Sequence, residues 1–73
     1  MSQLVEIFAR VFGVRPDEVT DGLTRGKFEL WDSLNHLLLV SEIENELAIS
    51  FTTDEVLRIK TFKDLREAVE SKR

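Results

Sequence analysis

The chain has 73 residues, of which 42% are hydrophobic and 33% charged, with three glycines, one proline and a net charge of −4. A chain this short buries only about 60% of its unfolded surface, which leaves room for one small domain over residues 1–73 and none for a deep catalytic cleft beside the core. The absence of cysteine removes disulfides and thiolate metal sites, and 14 acidic against 10 basic residues argue against a nucleic-acid partner, whose phosphates require a basic patch.

The opening segment MSQLVEIFARVF lacks the basic start and long apolar stretch of a signal peptide. No apolar run approaches membrane-spanning length, so a soluble, cytoplasmic monomer without membrane insertion is expected. A first helix is predicted from Ser2 to Phe12, with Ser2 as its cap and Leu4, Val5, Ile7, Phe8, Val11 and Phe12 on a wide apolar side. Glu6 and Arg10 are ordered for an i,i+4 ion pair. Gly13 suits the left-handed position that ends a helix.

Val14 to Leu30 reads as a long connection in which Pro16 opens a single turn and Gly22 and Gly26 punctuate. Nothing in it resembles a Gly/Ser or Pro-rich spacer. Val14, Val19, Leu23, Phe28 and Leu30 are instead spaced as anchors that pin the loop across a bundle. Trp31 is expected to pack over this loop.

The stretch LWDSLNHLLLVSEIENEL, Leu30 to Leu47, carries the second helix, whose N-cap falls on Asp32 or Ser33. At roughly 100° per residue, His36, Leu39, Val40, Ile43 and Leu47 share the face that must be buried. His36 is expected there as a partly buried packing residue. Leu34, Leu37, Leu38 and Ser41 fall largely on another face, and its leucines exceed what one buried stripe requires. Glu42, Glu44 and Glu46 read first as a solvated acidic face, with Glu42 nearest in angle to the surplus leucines.

AISFTT then breaks the helical pattern, and Thr52 with Glu55 forms the capping box of a short third helix through about Arg58. Val56, Leu57 and Ile59 are its apolar contributions. Thr61 caps a fourth helix from Phe62 to about Ser71, along which Phe62, Leu65, Ala68 and Val69 repeat at helical spacing, with Lys72 and Arg73 at its negative dipole end. The fold class is therefore all-α: a four-helix bundle with a long loop between the first two helices and a short third helix.

Chemistry concentrates at the start of the second helix. A serine there is ordinarily a cap, but an exposed one is also well placed to carry a phosphate, because unpaired N–H groups and the helix dipole favour an anion. Asp32, Ser33 and His36 also contain the residue types of a hydrolytic triad. No Gly-x-Ser-x-Gly elbow accompanies them, and His36 turns toward the core while Ser33 stays at its edge. A single histidine without a second ligand at a usual spacing does not make a metal site.

Asp32-Ser33-Leu34, set in this order of helix, long loop, helix, short helix and last helix from about Leu4 to Val69, resembles the acyl carrier protein family. The resemblance implies a non-catalytic carrier whose Ser33 hydroxyl bears a covalent 4′-phosphopantetheine arm, with acyl groups held as thioesters on its terminal thiol. It implies a phosphopantetheinyl transferase as partner, with Asp32 helping to hold that enzyme's magnesium, and acyl-transferring or acyl-activating enzymes beyond it. Leu34, Leu37, Leu38, Ser41 and Glu42 become the candidate partner surface.

Fatty-acid carriers of the family usually have a small residue where this chain has Trp31, and often acids where it has Asn35, Leu38 and Asn45. The Trp-Asp-Ser-Leu pattern is similar to carriers of specialised acyl, polyketide or peptide-building pathways, and a dedicated carrier is expected. The competing reading is an unmodified helical module that docks a partner through the leucine-rich face of the second helix.

Overall fold

A computed structural model describes residues 3–72 as helices α1 (Gln3–Phe12), α2 (Ser33–Leu47), α3 (Thr53–Arg58) and α4 (Phe62–Ser71), with a single 3-10 turn at Pro16–Glu18. Ser2 and Arg73, assigned above to the two chain ends, lie outside the described residues. No strand forms among the described residues beyond isolated bridges, so the all-α expectation holds.

Each helix boundary has a local cause. α1 stops where Gly13 takes φ 70°, and the Val14 N–H then reaches back to the Ala9 carbonyl at 3.0 Å, closing the last turn. Pro16 opens the 3-10 turn as the spacing predicts. α2 ends on Ala48 in the left-handed region, φ 56°, without a glycine to ease it. Thr52 and Glu55 exchange cap bonds at the start of α3, and Thr61 and Asp64 do the same for α4.

The core joins Leu4, Ile7, Phe8 and Phe12 of α1 to Leu39 and Ile43 of α2 and to Phe62, Leu65 and Val69 of α4. Trp31 and Ile59 complete it from the connections. Phe8 is the hub, with its ring 4.5 Å from Phe12, 5.1 Å from Trp31 and 5.3 Å from Phe62. The latter two contacts are edge-to-face, the arrangement that the ring quadrupoles favour.

The long loop is fastened rather than loose. Val14, Val19, Leu23 and Phe28 pack against the core as expected. Leu30 does not: it is exposed, because Trp31 beside it takes the inward place. Backbone bonds from Phe62 to Leu23 and from Arg25 to Lys60 tie the loop to the start of α4, and Arg66 grips the Asp21 carboxylate through two nitrogens. That guanidinium holds the Asp21 carboxyl below the usual carboxylate range.

Several other contacts differ from the sequence expectation. Arg10 turns away from its own helix and pairs with Glu42 and Glu46 of α2, since side-by-side packing of the helices brings two carboxylates within its reach. Leu57 stays on the surface at 63% exposure, because α3 is too short to bury a full stripe and its inward places go to Val56 and the following Ile59. Lys72 reaches the Glu55 carboxylate at 2.8 Å and lies over the Phe51 ring, linking the end of α4 to α3.

Candidate functional site at the start of helix α2

Ser33 is the first residue of α2, and the backbone around it is held from both sides. The Trp31 N–H donates to the Phe28 carbonyl at 2.9 Å, which fixes the chain just before the site. Asp32 is the N-cap: its carboxylate accepts the Asn35 N–H at 2.9 Å, and its carbonyl accepts the His36 N–H at 2.8 Å. The Asn35 side-chain amide then donates back to the Leu30 carbonyl at 2.8 Å. This settles the cap on Asp32 and leaves Ser33 without a capping duty. Asp32→Ala should consequently lower stability by about 0.5 to 2 kcal/mol while leaving Ser33 exposed, as urea denaturation would show.

The Ser33 side chain is exposed, and among the described residues its hydroxyl has no hydrogen-bond partner. The backbone N–H groups of Ser33 and Leu34 are likewise without partners among the described residues, at the positive end of a helix 15 residues long. A phosphodiester on this hydroxyl would meet free donors and open solvent, and its arm would need no cavity. The residues present therefore fit a covalent phosphopantetheine.

His36, three residues on, is 2% exposed and fully engaged. Its Nδ1 accepts the Trp31 indole N–H at 2.9 Å, and its Nε2 lies 2.9 Å from the Val56 carbonyl. Indole can only donate and a carbonyl can only accept, so the ring must be neutral with its proton on Nε2. Burial pushes its pKa down; the bond to Val56 opposes this, and the charge of Arg25 adds to the lowering. The partly buried packing residue of the sequence reading is thus a buried polar link between the long loop, α2 and α3. With both nitrogens spent, it cannot act as a base for Ser33, and the triad reading loses its central member.

Beyond Ser33, Leu34, Leu37 and Leu38 are exposed at 67%, 60% and 50%, with Ser41 exposed a turn later. The acids of the same helix are committed within the chain. Glu42 and Glu46 share Arg10, and Glu44 accepts the Phe51 N–H at 2.8 Å, holding the turn after α2. Of the candidate residues, the structure groups Asp32, Ser33, Leu34, Leu37, Leu38 and Ser41 on accessible surface and half-buries Glu42 against Arg10. Sequence reasoning missed Asn35 as the second brace of the serine, although an Asx residue three places after a cap was a usable signal.

The site thus combines a fastened loop, an exposed serine at a helix N-terminus whose hydroxyl has no partner among the described residues, and exposed leucines beside it. Comparison with known proteins specifies the class. Residues 2–69 match the family model described as a phosphopantetheine attachment site. The solution NMR structure of a holo acyl carrier protein from Geobacter metallireducens superposes with a TM-score of 0.84 at 30% sequence identity, covering 94% of this chain and 79% of that one. No curated protein matches the chain. The chain belongs to the acyl carrier protein family, a family of non-catalytic carriers with a covalently attached phosphopantetheine.

Proposed function

We propose that Ser33 is the attachment residue and that a phosphopantetheinyl transferase modifies it with coenzyme A. The Ser33 oxygen attacks the phosphorus that bears the pantetheine, the pyrophosphate P–O bond breaks, and adenosine 3′,5′-bisphosphate leaves. The hydroxyl proton passes to a base of the transferase, since His36 is unavailable to take it. Asp32, the residue before Ser33, has one carboxylate oxygen in the cap, and its other oxygen would help to hold the transferase's magnesium. The observation that carries this reading is the unengaged Ser33 hydroxyl beside the free N–H groups of α2. Incubation with coenzyme A, magnesium and a broad-specificity transferase should add one phosphopantetheine mass, and peptide mapping should place it on Ser33. An unchanged mass with several competent transferases would falsify the carrier reading in favour of a simple docking module.

The loaded arm serves a dedicated acyl, polyketide or peptide-building pathway rather than housekeeping fatty-acid synthesis. Support comes from α2, whose acids are occupied by Arg10 and by the Phe51 N–H while its leucines stand free. Partner recognition then rests on desolvating Leu34, Leu37 and Leu38, with Ser41 and Glu42 at the rim. A buried leucine contributes roughly 1.5 to 3 kcal/mol, whereas a rim charge chiefly alters association rate and is screened by salt. Leu38→Glu should weaken transfer by the cognate enzyme far more than Glu42→Gln. Affinities of both variants across a salt series would check this, and a dominant Glu42 effect abolished by salt would restore an acidic recognition mode.

A further inference from the structure

The least expected feature of the interior is a polar thread through apolar surroundings, close to Ser33. Trp31 enters the core two positions before the serine, 1% exposed and wedged within 6.0 Å of both Phe8 and Phe12 by ring centroids. Its indole N–H donates to His36, three positions after the serine, and the His36 Nε2–H donates to the Val56 carbonyl of α3. The long loop, α2 and α3 are thereby stitched together beside the attachment point. Every atom of this thread is satisfied, and no buried side-chain polar atom among the described residues lacks a partner.

We infer that the Trp31–His36–Val56 thread bars the acyl cargo from the space between α2 and α3, so that this chain carries short or polar acyl groups held outside the bundle. The inference rests on Ser33 bearing the arm. A hydrocarbon chain folding back from Ser33 into that space would have to part the thread. It could neither donate to the Val56 carbonyl nor accept from the Trp31 indole, so the buried indole N–H would be stranded and the half-buried carbonyl would lose its donor. The indole is itself held by the aromatic rings of α1, its centroid 5.1 Å from that of Phe8 and 6.0 Å from that of Phe12, so parting the thread would also disturb these contacts. A short or polar acyl group needs no such shelter and leaves the thread intact.

The chain carries a single tryptophan, so its indole N–H is an unambiguous reporter in a 15N–1H spectrum. Ser33 would be loaded with acetyl-, octanoyl- and dodecanoyl-phosphopantetheine from the corresponding coenzyme A thioesters, each product verified by mass. The expected result is an indole cross-peak that superposes across unloaded, acetyl, octanoyl and dodecanoyl forms, with shifts confined to residues at the start and on the exposed face of α2. Hydroxylamine should cleave the three thioesters at the same rate. A cross-peak that moves progressively with chain length, with contacts from the alkyl chain to Leu39 or Phe8 and slower cleavage of the longer thioesters, would overturn the inference while leaving the carrier reading intact. Failure to load Ser33 at all would overturn the carrier reading and this inference with it.

Discussion

Ser33→Ala should abolish loading completely, with no phosphopantetheine mass after exhaustive incubation, and should leave the fold essentially unchanged. The first half follows from chemistry: without the hydroxyl no oxygen is placed at the free N–H groups of α2 to attack coenzyme A. The second half follows from the structure and differs from what a capping serine would imply. The cap is Asp32, whose carboxylate holds the Asn35 N–H, so removing Ser33 leaves the cap bond in place. Alanine is the best helix former, and Ser33 lies inside the helix by one residue, so stability should stay within about 0.5 kcal/mol of wild type. The measurement pairs intact mass with thermal unfolding. A variant that still gains the full mass would move the attachment to another hydroxyl, and one that unfolds would mean that Ser33 is structural after all.

Most of the architecture was legible because its determinants are local. Gly13, Thr52 with Glu55, and Thr61 each act within a few residues, and helical periodicity sorted His36, Leu39, Val40 and Ile43 inward from Leu34, Leu37 and Leu38 outward. What periodicity could not supply was partnership across the fold. Arg10 has an acid at i−4, yet it turns to Glu42 and Glu46, 32 and 36 residues away. Leu30 and Trp31 are both apolar neighbours in a loop, and nothing in their spacing says that only the second goes inward. The place of Ser33 was legible, as an exposed residue at a helix start. The state of its hydroxyl was not, because Asp32 and Ser33 are both good cap types and only the bond from the Asn35 N–H to the Asp32 carboxylate decides between them.

The same nonlocality governs α2's charge. In sequence, Glu42, Glu44 and Glu46 look like an acidic stripe available to a basic partner. In the fold, each has a donor from elsewhere in the chain, so the helix offers leucines more openly than carboxylates. Exposed ion pairs of this kind contribute little stability, and their larger effect is to mute the electrostatic face that partners meet.

His36→Leu is expected to be among the most destabilising substitutions in the chain, contrary to the modest effect that a packing histidine would suggest. It strands the buried Trp31 indole N–H, at a cost of about 1 to 3 kcal/mol, and takes the donor from the half-buried Val56 carbonyl, which adds to that loss. A loss of about 3 kcal/mol is a large share of the roughly 5 to 15 kcal/mol that holds a domain together, and a chain this small belongs near the lower end. Adding Trp31→Phe removes the stranded donor, so the double variant should be more stable than the sum of the single losses predicts; strict additivity in urea melts would show that the bond carries no energy. Acid should act on the same link. A protonated ring would turn a second N–H toward the indole N–H, and burial already depresses the His36 pKa, so the folded state resists the proton that the unfolded chain accepts below about pH 6.5. Between that value and the lower folded pKa the unfolded state binds more protons. Wild-type stability should therefore fall as pH drops through this window, by at most about 1.4 kcal/mol per pH unit. The carboxyls of Asp21 and Glu55 are held low by Arg66 and Lys72 and lose their partners only in more acid solution, and the chain has no other histidine. Chemical denaturation of wild type and His36→Leu from pH 7 to 5 should give a sloping line for the first and a nearly flat one for the second. Parallel lines would mean that His36 takes up its proton as readily in the folded state as in the unfolded one, so that the bond from Trp31 does not resist acid.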